Sequence, residues 1–317
     1  MSAPLTGFPL TPHVGSRQAT RKPKRNVTTP EARQHTKTRD APMSKTIVIT
    51  GASDGVGAAA ARQLHAAGHR IVIVGRSPAK TTAIANELGA AHYIADFSDL
   101  TQVRTLAQEL SQAYPTIDVL ANNAGGIMGD RTITSDGNEL TFQVNHLAPF
   151  LLTTLLLPTL TASKATVIQT ASRAARVFGK FDIEDLQNAK NYAPHTAYGN
   201  GKLENILFTS ELQRRYGNQG INAVAFHPGI VATQFAADTT HLMRHIYHGW
   251  FKRFFTITPE QGADQLVWLA QGTPEDTFTP GAYYEERKIA QNINPDSLNP
   301  ELARSLWEKS EALVKTP

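Results

Sequence analysis

The chain has 317 residues, 41% of them hydrophobic, no cysteine and a formal net charge of +4. That is enough apolar content for a large core in one α/β domain, and the missing cysteines exclude a disulfide framework, a thiolate nucleophile and a Cys-based zinc site, which fits a reducing, cytoplasmic setting. Residues 1–43 hold eight Lys or Arg against Glu31 and Asp40, a surplus of six that leaves the remainder at minus two, so the folded part lacks the basic excess of a nucleic-acid binder.

Residues 1–43 are rich in Pro, Thr and Arg without helical periodicity and read as a disordered basic extension. An Arg-rich presequence is an alternative against which the prolines speak, and Met43, directly before the first apolar run, is an alternative start. Residues 44–317 read as one catalytic domain. Short β-branched runs alternate there with helical stretches, the pattern of a parallel sheet covered by helices on both faces. Strands are expected at 46–50, 70–75, 91–95, 117–121, 165–170, 221–226 and 281–284. Helices are expected at 56–67, 78–88, 99–113, 137–160, 196–216, 259–271 and 300–314. The apolar run Leu147 to Leu160 is shorter than a membrane span requires and reads as a buried or subunit-facing helix. Two long interruptions, 173–195 and 230–258, follow strand ends, where an open α/β sheet binds its ligands.

The first strand runs into Thr50, Gly51, Ala52, Ser53, Asp54, Gly55, Val56 and Gly57 ahead of an Ala-rich helix. Glycines there permit a sharp turn and a close backbone approach to a pyrophosphate, which the free N–H groups of the helix start favour. The second strand ends in Gly75, Arg76 and Ser77 rather than in an acid. A guanidinium beside a hydroxyl suits a ribose 2′-phosphate, which points to NADP(H), with NAD(H) possible. Tyr198 and Lys202 share one helical face a turn apart, so an ammonium can stabilise the phenolate and Tyr198 can serve as general acid or base.

The spacing Thr-Gly-x-x-x-Gly-x-Gly, the run Asn122-Asn123-Ala124-Gly125 after the fourth strand, the Tyr-x-x-x-Lys pair and the Pro228-Gly229 turn after the sixth strand resemble, in order, the short-chain dehydrogenase/reductase family. Ser172 and Asn145 match its strand-end serine and helix asparagine. The segments 181–186, 202–208 and 258–262, with Gly281, Tyr283, Leu306 and Trp307, look like its retinol-dehydrogenase and WW-domain oxidoreductase branch. The resemblance implies a Rossmann-type doubly wound sheet of about seven strands and a carbonyl/alcohol oxidoreductase. In it Ser172 orients the substrate oxygen, Asn145 holds a relay water, and Lys202 also holds the ribose. It further implies a nucleotide crevice formed by Gly51, Ser53, Asp54, Gly55, Val56, Gly57, Arg76, Ser77, Asp96, Phe97, Asn123, Ala124, Gly125, Tyr198, Lys202, Pro228, Gly229, Val231 and Thr233.

Asp96 has a second reading as a helix cap, and His227 reads as structural. Apolar substrates such as retinoids, steroids or aldehydes are implied by analogy, and a homodimer or homotetramer through the helices containing 137–160 and 196–216. The aromatic stretch 240–255 reads as a substrate lid, a peripheral membrane contact or an ordinary core helix. His241, His245 and His248 share a face, but no metal is expected. Two rival readings remain: a silent NADP(H)-sensing regulator, which the intact tetrad opposes, and a sugar-nucleotide epimerase, which the glycine spacing opposes.

Overall fold

The computed structural model describes residues 44–229 and 257–315, which all belong to one unit, Met43–Pro317. The crossovers alternate strand and helix: β1 (Thr46–Thr50), α1 (Gly55–Ala66), β2 (Arg70–Gly75), α2 (Pro78–Leu88), β3 (Ala91–Ile94), α3 (Leu100–Ala113) and β4 (Val119–Asn122). Then come α4 (Leu140–Ala162), β5 (Thr166–Thr170), the short α5 (Ala174–Val177), α6 (Pro194–Tyr216) and β6 (Asn222–His227). The described chain closes with α7 (Pro259–Gln271), β7 (Tyr283–Glu285), β8 (Lys288–Ile289) and α8 (Pro300–Lys315).

The strands form one sheet in the order β3-β2-β1-β4-β5-β6-β7-β8, parallel up to β7. β8 is antiparallel to β7, an eighth strand beyond the seven expected. The order reverses between β1 and β4, so the crevice beyond their carboxyl ends is the topological switch point of the sheet.

Alternate side chains of each strand feed opposite cores. Ile47, Ile49, Ile71, Ile73 and Val224 pack beneath α1 and α7, while Val48, Val72, Leu120 and Val167 pack beneath α3, α4, α6 and α8. The central strands are buried on both faces, which explains why they read as continuous β-branched runs. Local chemistry sets the helix ends: Asp99 caps α3, Ser77 and Pro78 begin α2, and left-handed Gly89 ends it.

α4 departs from expectation at both ends and in its middle. Gly137 lies in a turn at φ 81°, and the helix starts only at Leu140, where the Glu139 carboxylate accepts the Thr141 and Phe142 N–H groups. Residues Gln143–Leu147 form a π-turn before the α-helix resumes. The whole element, 23 residues, is long and apolar enough to cross a membrane, but it lies mostly buried as a core helix.

α8 packs against the two helices through which a pairing of subunits was expected. Its Trp307 stacks on Phe208 of α6 (centroids 5.7 Å) and meets Phe150 of α4 edge-on (5.0 Å), while Ser310 bonds the His146 imidazole at 2.8 Å. These contacts tie α4, α6 and α8 together within one chain.

Burial pushes the His146 pKa down to about 3. The unfolded chain, with His near 6.5, then binds the extra proton between those values, so His146 costs stability as pH falls below 6.5. A His146→Gln variant, compared with the parent by urea denaturation, is expected to gain on it by about 3 kcal/mol between pH 6.5 and 4. A constant gap across that range would refute the assignment.

Candidate active site

The glycine loop after β1 and the loop after β4 face each other across the switch point. The Thr50 hydroxyl accepts the Asn123 and Ala124 N–H groups, both at 3.0 Å, and donates to the Ala121 carbonyl at 3.3 Å. The Asn123 amide returns a bond to the Thr50 carbonyl at 3.0 Å. The glycines are required by contact. A Cβ at Gly51, which also has φ 65°, would lie 2.9 Å from the Ala124 Cα, and one at Gly57 would lie 2.4 Å from the Gly51 carbonyl. Asp54 caps α1 by accepting the Gly55 N–H at 2.7 Å, and its carboxylate is paired with Lys80 at 2.7 Å. Val56 and Ser53 are part-buried in the same loop.

At the end of β2, Gly75 leaves room for Ser53 and Thr81. Arg76 is exposed and makes no hydrogen bond or ion pair with a described residue, while Ser77 caps α2. Asp96 accepts the Ser98 N–H and hydroxyl in a turn of its own (2.9 and 2.8 Å), and the cap of α3 is Asp99. The Phe97 side chain belongs to the core, and its carbonyl accepts from Gln143.

The expected catalytic residues converge. α6 places Tyr198 and Lys202 on one face, both buried, with the ammonium 5.4 Å from the Tyr198 ring centroid. Lys202 Nζ donates to the Thr170 carbonyl at the end of β5 at 3.0 Å. Burial holds its pKa down at about 7, so an anion beside it keeps it charged above neutrality. Two residues past β5, Ser172 Oγ accepts the Ala174 N–H at 3.1 Å, and the same oxygen can still donate its proton.

Asn145 sits in the π-turn of α4. Its amide donates to the Gly126 and Thr141 carbonyls (both 2.9 Å), and its oxygen accepts the Gly126 N–H at 3.1 Å. A Cβ on Gly125 would meet that oxygen at 2.6 Å and the Lys202 ammonium at 3.1 Å, so this glycine brings the crevice up to Asn145 and Lys202. Two further glycines inside α6, each costing about 1 kcal/mol in a helix interior, have packing reasons. Gly199 lets the helix touch the backbone of Ala174 and Gly179, and Gly201 lets it touch the Asn145 Cβ.

Pro228 and Gly229 (φ 92°) follow β6 as expected, whereas Val231, Thr233, the His241–His248 cluster and most of the 230–258 loop lie outside the described residues. Among the described residues there is no metal-ligand cluster. His227 is buried with its pKa lowered to about 4 by desolvation, and its Nδ1 accepts the Arg173 N–H at 3.5 Å. Sequence reasoning missed the Thr50 hydroxyl and the Thr170 carbonyl. The first could have been found from its place before Gly51, whereas the second carries no side-chain signal.

Residues 45–243 match the family described as short chain dehydrogenase. A protein of Streptomyces sp. (strain C5) named as a daunorubicin C-13 ketoreductase, DnrU, is 39% identical over 279 residues, spanning 85% of this chain and 92% of the relative. Retinol dehydrogenase 14 of Homo sapiens is 34% identical over 298 residues, spanning 85% and 86%. Among solved structures, an uncharacterised protein from Mycobacterium paratuberculosis shares the fold with a TM-score of 0.68 and 31% identity, over 86% of this chain and 94% of that one.

Proposed function

Because the chain belongs to the short-chain dehydrogenase family and is thus an NAD(P)-dependent oxidoreductase of CH–OH and C=O groups, we propose that it uses NADP(H) and acts on an apolar carbonyl or alcohol. The observation that carries the chemistry is the buried Tyr198–Lys202 pair, with Ser172 and Asn145 around it. The crevice fits the dinucleotide: glycine contacts leave its floor as bare backbone, and Gly125 opens it onto Lys202. When bound, the nicotinamide supplies or accepts the hydride.

The protein's own groups handle the proton and the oxygen. Ser172 donates a hydrogen bond to the substrate oxygen and steadies its developing charge. Tyr198 gives its phenolic proton to that oxygen in reduction and takes it back in oxidation. Lys202, anchored on the Thr170 carbonyl, stabilises the phenolate left behind. Asn145, fixed by three bonds, holds the relay water behind the lysine.

Cofactor choice rests on Arg76, an exposed guanidinium with no partner among the described residues, where an acid would favour the ribose hydroxyls of NAD. An apolar substrate is supported by Val177 (59% exposed) and Phe178 (39%), which stand just beyond Ser172, and by relatives named for a ketone and for retinol. Titration with NADPH and NADH should show NADPH binding at least about tenfold tighter, and Arg76→Ala should erase most of that difference by weakening NADPH alone. A parent protein that prefers NADH would overturn the choice. Binding without turnover across a panel of apolar aldehydes and ketones would replace the reductase with a nucleotide sensor.

A further inference from the structure

We propose that the β7–β8 hairpin is a clamp on the substrate end of β5, in which Glu285, acting through Arg173, fixes the backbone that aims the Ser172 hydroxyl. The inference rests on the assignment of Ser172 to the substrate oxygen.

Arg173 directly follows Ser172 and is held at both its ends. Its guanidinium donates to Glu285 at 2.7 Å through Nε and to Glu286 at 3.0 Å through Nη2. Its backbone N–H faces the His227 imidazole. The remaining Glu285 oxygen accepts from the buried Tyr283 hydroxyl at 3.1 Å. Burial and then the Glu285 charge push the Tyr283 phenol up, and Tyr198 adds to that push, which places the network within electrostatic reach of the proton donor. Gln265 of α7 closes the ring by donating to the His227 and Tyr284 carbonyls (3.0 and 3.2 Å) and accepting the Arg287 N–H.

The hairpin itself is strained. Its two turn residues, Glu286 (φ 52°) and Arg287 (φ 60°), adopt left-handed conformations that a two-residue hairpin normally assigns to Asn and Gly. Both are tied down by their side chains, Glu286 to Arg173 and Arg287 to Asp264 through two bonds. Strain of this kind persists where the surroundings over-determine it, commonly at functional sites.

The ion pairs bring little as surface pairs, since Arg173 is 40% exposed and Glu286 is 82% exposed. A net of one cation and two acids, joined to strand ends and bearing a strained turn, is better explained by geometry. A displacement of Ser172 by an ångström costs rate far more than it costs binding.

The test compares Arg173→Gln, Glu285→Gln, their double variant and the charge-swapped pair Arg173→Glu/Glu285→Arg, with Ser172→Ala alongside, reading kcat, KM and melting temperature with NADPH and a turned-over ketone. Each single variant is expected to lower kcat by about tenfold or more, with the KM for NADPH unchanged. The double variant should be no worse than either single, and the charge swap should recover part of the loss. Losses that multiply in the double variant, or a fall in melting temperature with kcat intact, would reduce the network to a stability element. Full turnover by Ser172→Ala would instead sink the assignment of Ser172. An inactive Ser172→Ala beside wild-type kcat in the Arg173 and Glu285 variants would sink the clamp alone.

Discussion

Tyr198→Phe is expected to lower turnover by about a thousandfold in both directions while leaving NADPH affinity within about twofold. The substitution removes one oxygen and keeps the ring, which is buried on α6 beneath the Lys202 ammonium. The glycine loop is held to its opposite lip by the bonds of Thr50 with Asn123 and Ala124, so the crevice should survive. What disappears is the proposed proton donor, in a site where burial has already made charge expensive: Lys202 itself is driven down to about 7. Stopped-flow reduction of a ketone, with nucleotide binding followed by fluorescence, separates the two quantities. A variant that still turned over at more than about a tenth of the parental rate would transfer the acid role to another group.

Trp307→Ala should cost about 3–5 kcal/mol, the usual range for deleting a buried indole. Trp307 is 4% exposed and makes ring contacts with Phe150, Phe208 and Tyr216, with the Arg215 guanidinium over its face at 4.8 Å. Its loss would open a cavity between α4, α6 and α8 and bare the apolar side of the helix that carries the active pair. In urea the midpoint should fall with little change in slope, and the exposed face should promote self-association. Trp307→Phe, which keeps the stacking partner of Phe208, should cost less than half as much. A loss below about 1 kcal/mol for the alanine variant would show that α8 is a loose appendage.

Most of the architecture was legible because the central strands are buried on both sides, so that Thr46–Thr50 and Arg70–Gly75 announce themselves by composition. β4 and β7 start two residues later than read, although the Asp118 and Gly281 N–H groups just ahead of them already donate to the Thr46 and Ala223 carbonyls of neighbouring strands. β8 gave no signal: it has two residues, and its turn uses Glu286 and Arg287 where a hairpin usually shows Asn-Gly. The π-turn around Asn145 was equally silent, because no residue type marks it and it depends on how α4 meets α6. The site followed the same division. Tyr198, Lys202, Ser172 and the glycines were readable from local spacing, but the Arg173–Glu285 pair joins residues 112 apart in sequence and only the folded sheet brings them together.

The single hydroxyl of Thr50 that joins both lips of the crevice also bears on how such a chain can diversify. With bare backbone on one side and shared bonds on the other, a change to either lip disturbs both, so the half of the site that meets the dinucleotide has almost no neutral neighbours in sequence space. The other half is built differently: beyond the Arg173 clamp, the side chains of Val177 and Phe178 stand exposed, each exchangeable without moving a strand. New substrates can therefore be acquired there one residue at a time, while the chemistry performed on them stays what β1 and α6 already dictate.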